Sequence, residues 1–337
     1  MEEDLPFVSI CTPTFNRRPF IESMFQCFRN QTYPHSRMEW IIVDDGTDKI
    51  QDLVEQSGIS QIKYFPLDQK MKLGKKRNFM HSKTTGSILV YMDDDDYYPP
   101  ERVDHAVDML RIHTTAMIAG SSEIYIYFKH IQKMYLCGPY GENHATAGTF
   151  AFRRQLLNES QYDENACLAE EKVFLKNFTV PMVQLDPLKT ILVFSHIHNT
   201  FDKRNMLENM HPQYFTESTK TVDDFIRQTS ETNIRHFFMN DIDDKLKDYQ
   251  PGEPVMKPDV LEQIAEIEEY RKRIMASQPA PQIMIDISGE ERRPMTPHEI
   301  VKALSQQQEH IKLLTSRIRE LENLLANQNE LNQNTIA

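Results

Sequence analysis

The chain has 337 residues, 39% of them hydrophobic with 13 Tyr and 18 Phe, enough for one large domain or two smaller ones and incompatible with a fibrous or wholly disordered protein. A net charge of −12 argues against general affinity for nucleic acid, since phosphate backbones need a cationic footprint. Four scattered cysteines without a CxxC pair fit neither a zinc site nor a disulfide framework, no window reaches the roughly 18–20 apolar residues of a membrane span, and the acidic start Met1–Asp4 lacks an apolar signal region, so a cytoplasmic chain is expected.

Taken in order, Pro6–Thr12 reads as a strand and Pro19–Arg29 as a helix, broken by Gln31-Thr32-Tyr33-Pro34. Met38–Val43, Ile62–Phe65 and Ser87–Met92 are three further strands. Short strands alternating with helices of this length predict βαβ units and a mainly parallel sheet, whose ligands sit beyond the carboxyl ends of the strands. Thr14-Phe15-Asn16-Arg17, Asp44-Asp45-Gly46 and Asp93–Asp96 all fall at such ends.

From about Gln250 the texture changes. Pro251, Gly252, Pro254 and Pro258 read as a linker, followed by a charged helix near Val260–Ser277 and a second break with Pro279, Pro281, Gly289 and Pro294. Thr296-Pro297-His298-Glu299 is a helix start with a capping box. Beyond it Leu304, Ile311, Ile318 and Leu325 recur every seven residues, with Ile300, Leu314 and Leu321 at the partner positions and Gln307 and Gln328 interrupting. Such heptads predict a coiled coil and a homo-oligomer, dimer or trimer, in which Arg317 and Glu322 would pair between parallel helices.

The Asp93–Asp96 run carries the clearest chemistry. Magnesium and manganese take carboxylate oxygens together with substrate phosphate oxygens, and an ion so held stabilises a departing diphosphate. An acidic run alone is an ordinary solvated loop, but four aspartates packed at a buried strand's end repel unless a cation is present. Asp44 or Asp45 can accept hydrogen bonds from a ribose or base, although Asp-Asp-Gly is also a common turn. Lys75, Lys76 and Arg77 follow Gly74 and can contact diphosphate. Glu170 and Glu171 offer a carboxylate base, in a place where a helix N-terminus favours acids anyway. His196 and His198 are candidate metal ligands.

Residues from about Phe7 to about Lys203 resemble the family 2 glycosyltransferases of the GT-A fold. The resemblance rests on an ordered series: Cys11–Arg17, Gln31–Pro34, Ile41–Gly46, Gly74 with Arg77-Asn78, Tyr91–Asp96, Gly148–Arg153, Ala169-Glu170-Glu171 and Ser195–Thr200. It implies that Thr12, Pro13, Thr14 and Asn16 line the nucleotide pocket and that Asp44 or Asp45 holds uracil or ribose. It makes Asp93 and Asp95 the DxD pair, with Asp95 favoured as the direct ligand of Mn2+ or Mg2+ and Asp94 beside the donor. His196, with His198 as alternate, matches the family's C-terminal histidine, and Gly148 lies beside the sugar. Glu171 stands where the family usually has an Asp base, and this departure leaves Glu170 as an alternate.

The implied protein is an α/β, Rossmann-like GT-A enzyme. It would invert the anomeric centre while moving a sugar from a nucleotide-sugar donor, with UDP-sugar favoured, to a hydroxyl acceptor. The expected boundaries are a catalytic domain at 1–205, a helical extension packed on it at 206–249, a linker with one charged helix at 250–295, and a coiled-coil helix at 296–331. The competing readings are a nucleotidyltransferase, which would more usually carry a glycine-rich loop after the first strand, and a non-catalytic sugar- or nucleotide-binding scaffold organised by the coiled coil.

Overall fold

The computed structural model describes residues 4–208, 211–277, 284–285 and 293–334. Met1–Glu3, Pro279, Pro281, Gly289 and the side chains of Leu325 and Gln328 lie outside the described residues. The chain divides into two compact units, Met1–Ile267 and Glu268–Ala337.

The first unit contains strands β1 (Val8–Thr14), β2 (Met38–Asp44), β3 (Ile62–Pro66), β4 (Ile88–Tyr91), β5 (Ile118–Gly120), β6 (Ile124–Phe128), β7 (Lys133–Cys137), β8 (Ala151–Arg153), β9 (Met182–Gln184), β10 (Leu192–Ser195) and β11 (Phe215–Glu217). Its main sheet has the order β3-β2-β1-β4-β8-β5-β9. Strand β8 runs antiparallel to both neighbours, and the other pairings are parallel. This is the mainly parallel α/β sheet expected.

β1, β2 and β4 are almost wholly buried, as strands covered on both faces must be. Their side chains alternate between two cores. Val8, Ile10, Trp40, Ile42 and Val90 enter one, whereas Cys11, Ile41, Val43, Leu89 and Tyr91 enter the other. Helix α1 (Ile21–Arg29) turns Met24, Phe25 and Phe28 inward, and Phe28 stacks on Trp40 at 4.6 Å between ring centroids. Helices α2 (Gln51–Gln56), α3 (Leu73–Lys83) and α4 (Arg102–Ile112) make the remaining crossovers between the parallel strands and into β5. In α3 the inward face is Gly74, Lys76, Arg77, Met80 and His81, so its buried stripe has helical spacing but begins with cations.

A second sheet, β10-β6-β7-β11, packs beside the first. β11 comes from the stretch expected as a helical extension, which is therefore mixed. Its helices Thr232–His236 and Ile242–Lys247 bury Ile234, Ile242 and Leu246. Between them Phe238 stacks on Phe194 at 4.2 Å.

The proline-rich segment expected to begin a linker at 250 instead lies within the first unit. Asn16 and Arg17 capture the carbonyls of Pro251 and Gly252 at 2.7 and 3.4 Å, and the helix Pro258–Ser277 starts directly afterwards. Prolines and a glycine read as flexibility in sequence, but here captured carbonyls hold them against the domain. The four cysteines are buried free thiols.

In the second unit, the helix Pro297–Asn334 begins with the expected capping box. The Glu299 amide donates to the Thr296 hydroxyl at 3.3 Å, and the Thr296 amide donates to the Glu299 carboxylate at 2.8 Å. Leu304, Ile311, Leu314, Ile318 and Leu321 are exposed along it. Among the described residues, no helix is long and apolar enough to cross a membrane.

Candidate active site

The carboxyl ends of β1 and β2 are level, with Thr14 beside Asp44, and β4 ends one residue before Met92. The Thr12 hydroxyl donates to the Met92 carbonyl at 2.6 Å and accepts the Trp40 indole N–H at 2.9 Å, so Thr12 anchors the strand ends from below. The chain then delivers Asp93, Asp94 and Asp95 into a cavity of about 440 Å³. Pro13, Arg77, Gly148, Glu170 and Glu171 also line it.

The acidic run is held by cations and by one hydroxyl. Arg17 lies 3.7 Å from Asp94 and 3.3 Å from Asp95, and it donates to the carbonyl of His198 at 2.9 Å. The Tyr98 hydroxyl accepts the Asp93 amide at 2.8 Å and donates to the Gly148 carbonyl at 3.2 Å. A Cβ at Gly148 would meet the Asp93 carboxylate at 3.0 Å, a tight fit that explains the glycine.

The four carboxyls are shifted in different directions. Burial pushes Asp94 up to about 7, helped by neighbouring Asp95 and opposed by Arg17. Burial also raises Asp93 and, strongly, Asp96. Burial acts on Asp95 in the same direction, but Arg17 and His196 together outweigh it and hold this carboxyl well below the usual range. Asp93 Oδ1, Asp94 Oδ2 and Asp96 Oδ1 are buried without a hydrogen-bond donor.

The two glutamates separate cleanly. Glu170 is buried and accepts the Arg77 Nε–H at 2.8 Å, while the Arg77 guanidinium lies 4.5 Å from the Tyr91 ring centroid. Glu171 opens the short helix Glu171–Phe174, lines the cavity half-buried, and is raised to about 7 by burial and then by Glu170.

The histidines separate as well. His196 Nε2 lies 3.4 Å from Asp95 and 2.9 Å from the Asn199 amide nitrogen, and burial lowers it to about 4, so it is neutral at pH 7. His198 turns to another depression, lined by Leu246, Glu253 and Pro254, and its ring stacks on Tyr249. Of the two histidines, His196 is the one beside the acidic run, because the chain leaves β10 and turns at Ile197-His198.

Other expected residues stand behind the cavity. Asp44 accepts the amides of Gly46 and Ile50 at 2.9 and 3.1 Å and the Tyr64 hydroxyl at 2.6 Å, which makes it the brace of its own turn. Asp45 accepts the Met71 amide at 2.7 Å and pairs with Lys76. Asn16, at φ +52°, fastens the Thr47-Asp48 turn and Pro251. Thr14 is buried, and its carbonyl accepts from Lys76 at 3.2 Å. Lys75 is exposed and borders a different depression beside Glu164 and Asn165, whereas Lys76 faces the cavity from the inner side of α3. Of the three basic residues expected as diphosphate contacts, the helical register turns Lys76 and Arg77 to the cavity and Lys75 away from it. Sequence reasoning did not name Lys70, Lys203 and Lys257, which line the cavity together with Phe15 and Arg17 from the cluster at the end of β1.

Among the described residues, no three His, Cys, Asp or Glu converge into a preformed metal cage. A cation here would complete its shell with ligand and water oxygens, as magnesium commonly does on phosphates.

Residues 9–161 match the model of "Glycosyl transferase family 2". That segment is a family 2 glycosyltransferase domain. It carries β1 to β8 and the acidic run, whereas Glu170, Glu171, His196 and Lys257 lie beyond the family 2 match. Curated relatives include glycosyltransferase AglE of Haloferax volcanii, 29% identical over 126 residues, which are 36% of this chain and 41% of that protein. Another is the GalNAc(5)-diNAcBac-PP-undecaprenol beta-1,3-glucosyltransferase of Campylobacter jejuni, 32% identical over 97 residues, 27% of this chain and 30% of that one. The chain thus spans well under half the length of these relatives. Among solved structures, S. aureus TarS 1–349 in complex with UDP-GlcNAc aligns with TM-score 0.47 and 16% identity over 86% of this chain and 99% of that one. The mannosyltransferase PcManGT from Pyrobaculum calidifontis, in complex with GDP-Man and Mn2+, aligns with TM-score 0.47 and 14% identity over 71% of this chain and 70% of that one.

Proposed function

We propose that this chain is an inverting glycosyltransferase that moves a sugar from a nucleoside-diphosphate sugar, with a UDP-sugar favoured, to a hydroxyl acceptor. The observation that carries this reading is the meeting, in one cavity, of Asp93 and Asp95 from the family 2 domain with Glu171 from outside it. The curated relatives, named as glycosyltransferases, support the same class.

The donor-free carboxylate oxygens on Asp93, Asp94 and Asp96 fit a divalent cation, since buried oxygens with no partner are costly. Asp95 and Asp93 would hold Mn2+ or Mg2+, which when bound supplies positive charge to the diphosphate as the sugar leaves. Arg17 keeps Asp95 ionised and fixes its position. His196, neutral and 3.4 Å from the same carboxylate, offers a further nitrogen. The nucleoside side of the cavity is Pro13, Phe15, Met71 and Leu73, and Asp45 acts through Lys76.

Glu171 is the base in this reading. It opens on the cavity near Gly148 and carries no ion pair among the described residues, so its carboxylate is free to take the acceptor's proton. Its raised value matches it to proton transfer near neutral pH. Glu170 is committed to Arg77 and serves to position. The exposed heptad face of Pro297–Asn334 supports a homo-oligomer, dimer or trimer, and the buried free thiols accord with a reducing, cytoplasmic location.

A panel of nucleotide sugars, assayed for hydrolysis with and without manganese and for thermal stabilisation, tests the proposal. Metal-dependent turnover of at least one donor is expected. Absence of both turnover and stabilisation across the panel would overturn it.

A further inference from the structure

The cavity is completed by a segment far outside the family 2 match. Tyr249 donates its hydroxyl hydrogen to Asp48 at 2.8 Å, and the carbonyls of Pro251 and Gly252 are held by Asn16 and Arg17. Further along, Lys70 contacts the Asp259 carboxylate at 2.6 Å, and the amides of Cys167 and Leu168 donate to Gln263 Oε1 at 2.8 and 3.1 Å. Anchored on both sides, this stretch forms one wall of the cavity.

Lys257 sits between those anchors. Its Nζ donates to the Thr200 hydroxyl at 2.7 Å and lies 5.8 Å from the Phe15 ring centroid. Four other cations of the cavity are committed: Arg17 to Asp94 and Asp95, Lys76 to Asp45, Arg77 to Glu170, Lys70 to Asp259; Lys203, which also lines it, shares with Lys257 the lack of an ion pair among the described residues. Lys257 makes no direct ion pair among the described residues, although Asp94 and Asp95 attract it across the cavity that all three line. One hydroxyl is poor compensation for a shielded ammonium. The anion such a group lacks is what a diphosphate brings, and an ammonium binds phosphate well as a point charge.

We propose that Lys257 is a diphosphate-binding residue, carried into the donor cavity by the wall segment Tyr249–Val260. This rests on reading the cavity as a nucleoside-diphosphate site. The wall adds a side to that site, and donor affinity then depends on residues that the family 2 domain does not contain.

The test is calorimetric titration of the full chain with UDP and GDP, and with uridine and guanosine, in the presence of Mn2+. Lys257→Gln should bind the preferred diphosphate about tenfold to hundredfold more weakly, the span of a charge-assisted hydrogen bond, with nucleoside binding unchanged. Lys257→Arg should recover most of the loss, and Lys75→Gln should match wild type. Diphosphate affinity within about twofold of wild type in Lys257→Gln, or an equal loss for the nucleoside, would overturn the assignment while leaving the proposed function standing. Wild-type protein that binds neither diphosphate would remove the proposed function itself. A second measurement needs no variant: amine-selective labelling of Lys257, read by mass spectrometry. Protection by the diphosphate but not by the nucleoside is expected, and equal labelling in all conditions counts against the proposal.

Discussion

Arg77 donates its Nε–H to Glu170 at 2.8 Å, and both side chains are buried. The contact gives two adjacent glutamates different duties. Glu170 neutralises an arginine that cannot leave the interior, and its neighbour is left to face the cavity.

Glu171→Gln should therefore retain nucleotide binding and lose sugar transfer, read by calorimetry and by a product assay. Normal transfer in this variant would show that the base lies elsewhere. Glu170→Gln should instead destabilise the fold by about 3–5 kcal/mol, because it strands a buried charge. Chemical denaturation measures that difference.

The pH dependence follows from Glu171. Its carboxyl is raised to about 7, so the basic form appears as pH rises through that value. Transfer rate should climb across about pH 6–8 on this limb. The sign for stability is the reverse: a carboxyl raised on folding favours the folded state below its unfolded value, and that contribution is lost as pH rises through 7. A flat rate profile across the window would separate Glu171 from the proton transfer.

Asp96 is raised well above the ordinary carboxyl range by burial and then by Asp95, and it has an oxygen without a donor. In metal-free protein Asp96→Asn removes this repulsion and should raise Tm by about 2–4 °C, the response to ~1 kcal/mol in a domain of this size. Asp95→Ala should abolish thermal stabilisation by Mn2+ together with nucleotide. A Tm fall in Asp96→Asn would mean that this carboxylate holds a contact that Asn cannot replace.

Gly252 fits where a side chain does not. A Cβ there would lie 2.7 Å from His198 Nδ1 and 2.9 Å from the Asn16 carbonyl, and the second of these is backbone. Gly252→Ala should cost about 1–3 kcal/mol, the usual penalty of overpacking, and should raise the donor KM by moving the wall. Steady-state kinetics beside a thermal melt check both effects.

Deletion after residue 294 should reduce the mass seen in light scattering and leave the first unit folded. An unchanged mass would show that the heptad helix is not the main assembly element. Reversing the charge at Arg317 should weaken assembly, and adding the opposite reversal at Glu322 should restore it if the helices run parallel.

The strand ends and their polar clusters were legible because buried parallel strands are continuous apolar runs, and the chemistry follows where each run stops. Asp93–Asp95 could be named that way, whereas Gly148 and the base role of Glu171 came only from the family resemblance. The choice of Lys76 over Lys75 depends on which face of α3 meets the sheet, and no apolar stripe marks it, since the inward face begins with Lys76 and Arg77. His196 and His198 differ only by the direction of a turn. Lys257 left no trace at all: its role depends on carbonyl captures by Asn16 and Arg17 across more than two hundred residues of chain, and prolines beside it imitate a linker.

The Tyr98 hydroxyl, accepting from the Asp93 amide and donating to the Gly148 carbonyl, makes a single latch between two loops. Opening it would leave a buried amide unpaired at a cost of about 1–3 kcal/mol, so the acidic turn and the glycine loop behave as one stiff jaw. The Tyr249–Val260 wall is held by more contacts still, through Asn16, Arg17, Asp48 and Lys70, so both parts of the cavity's frame are fixed before a ligand arrives. A donor would then meet a site already framed, with little ordering of the protein left to weaken its binding.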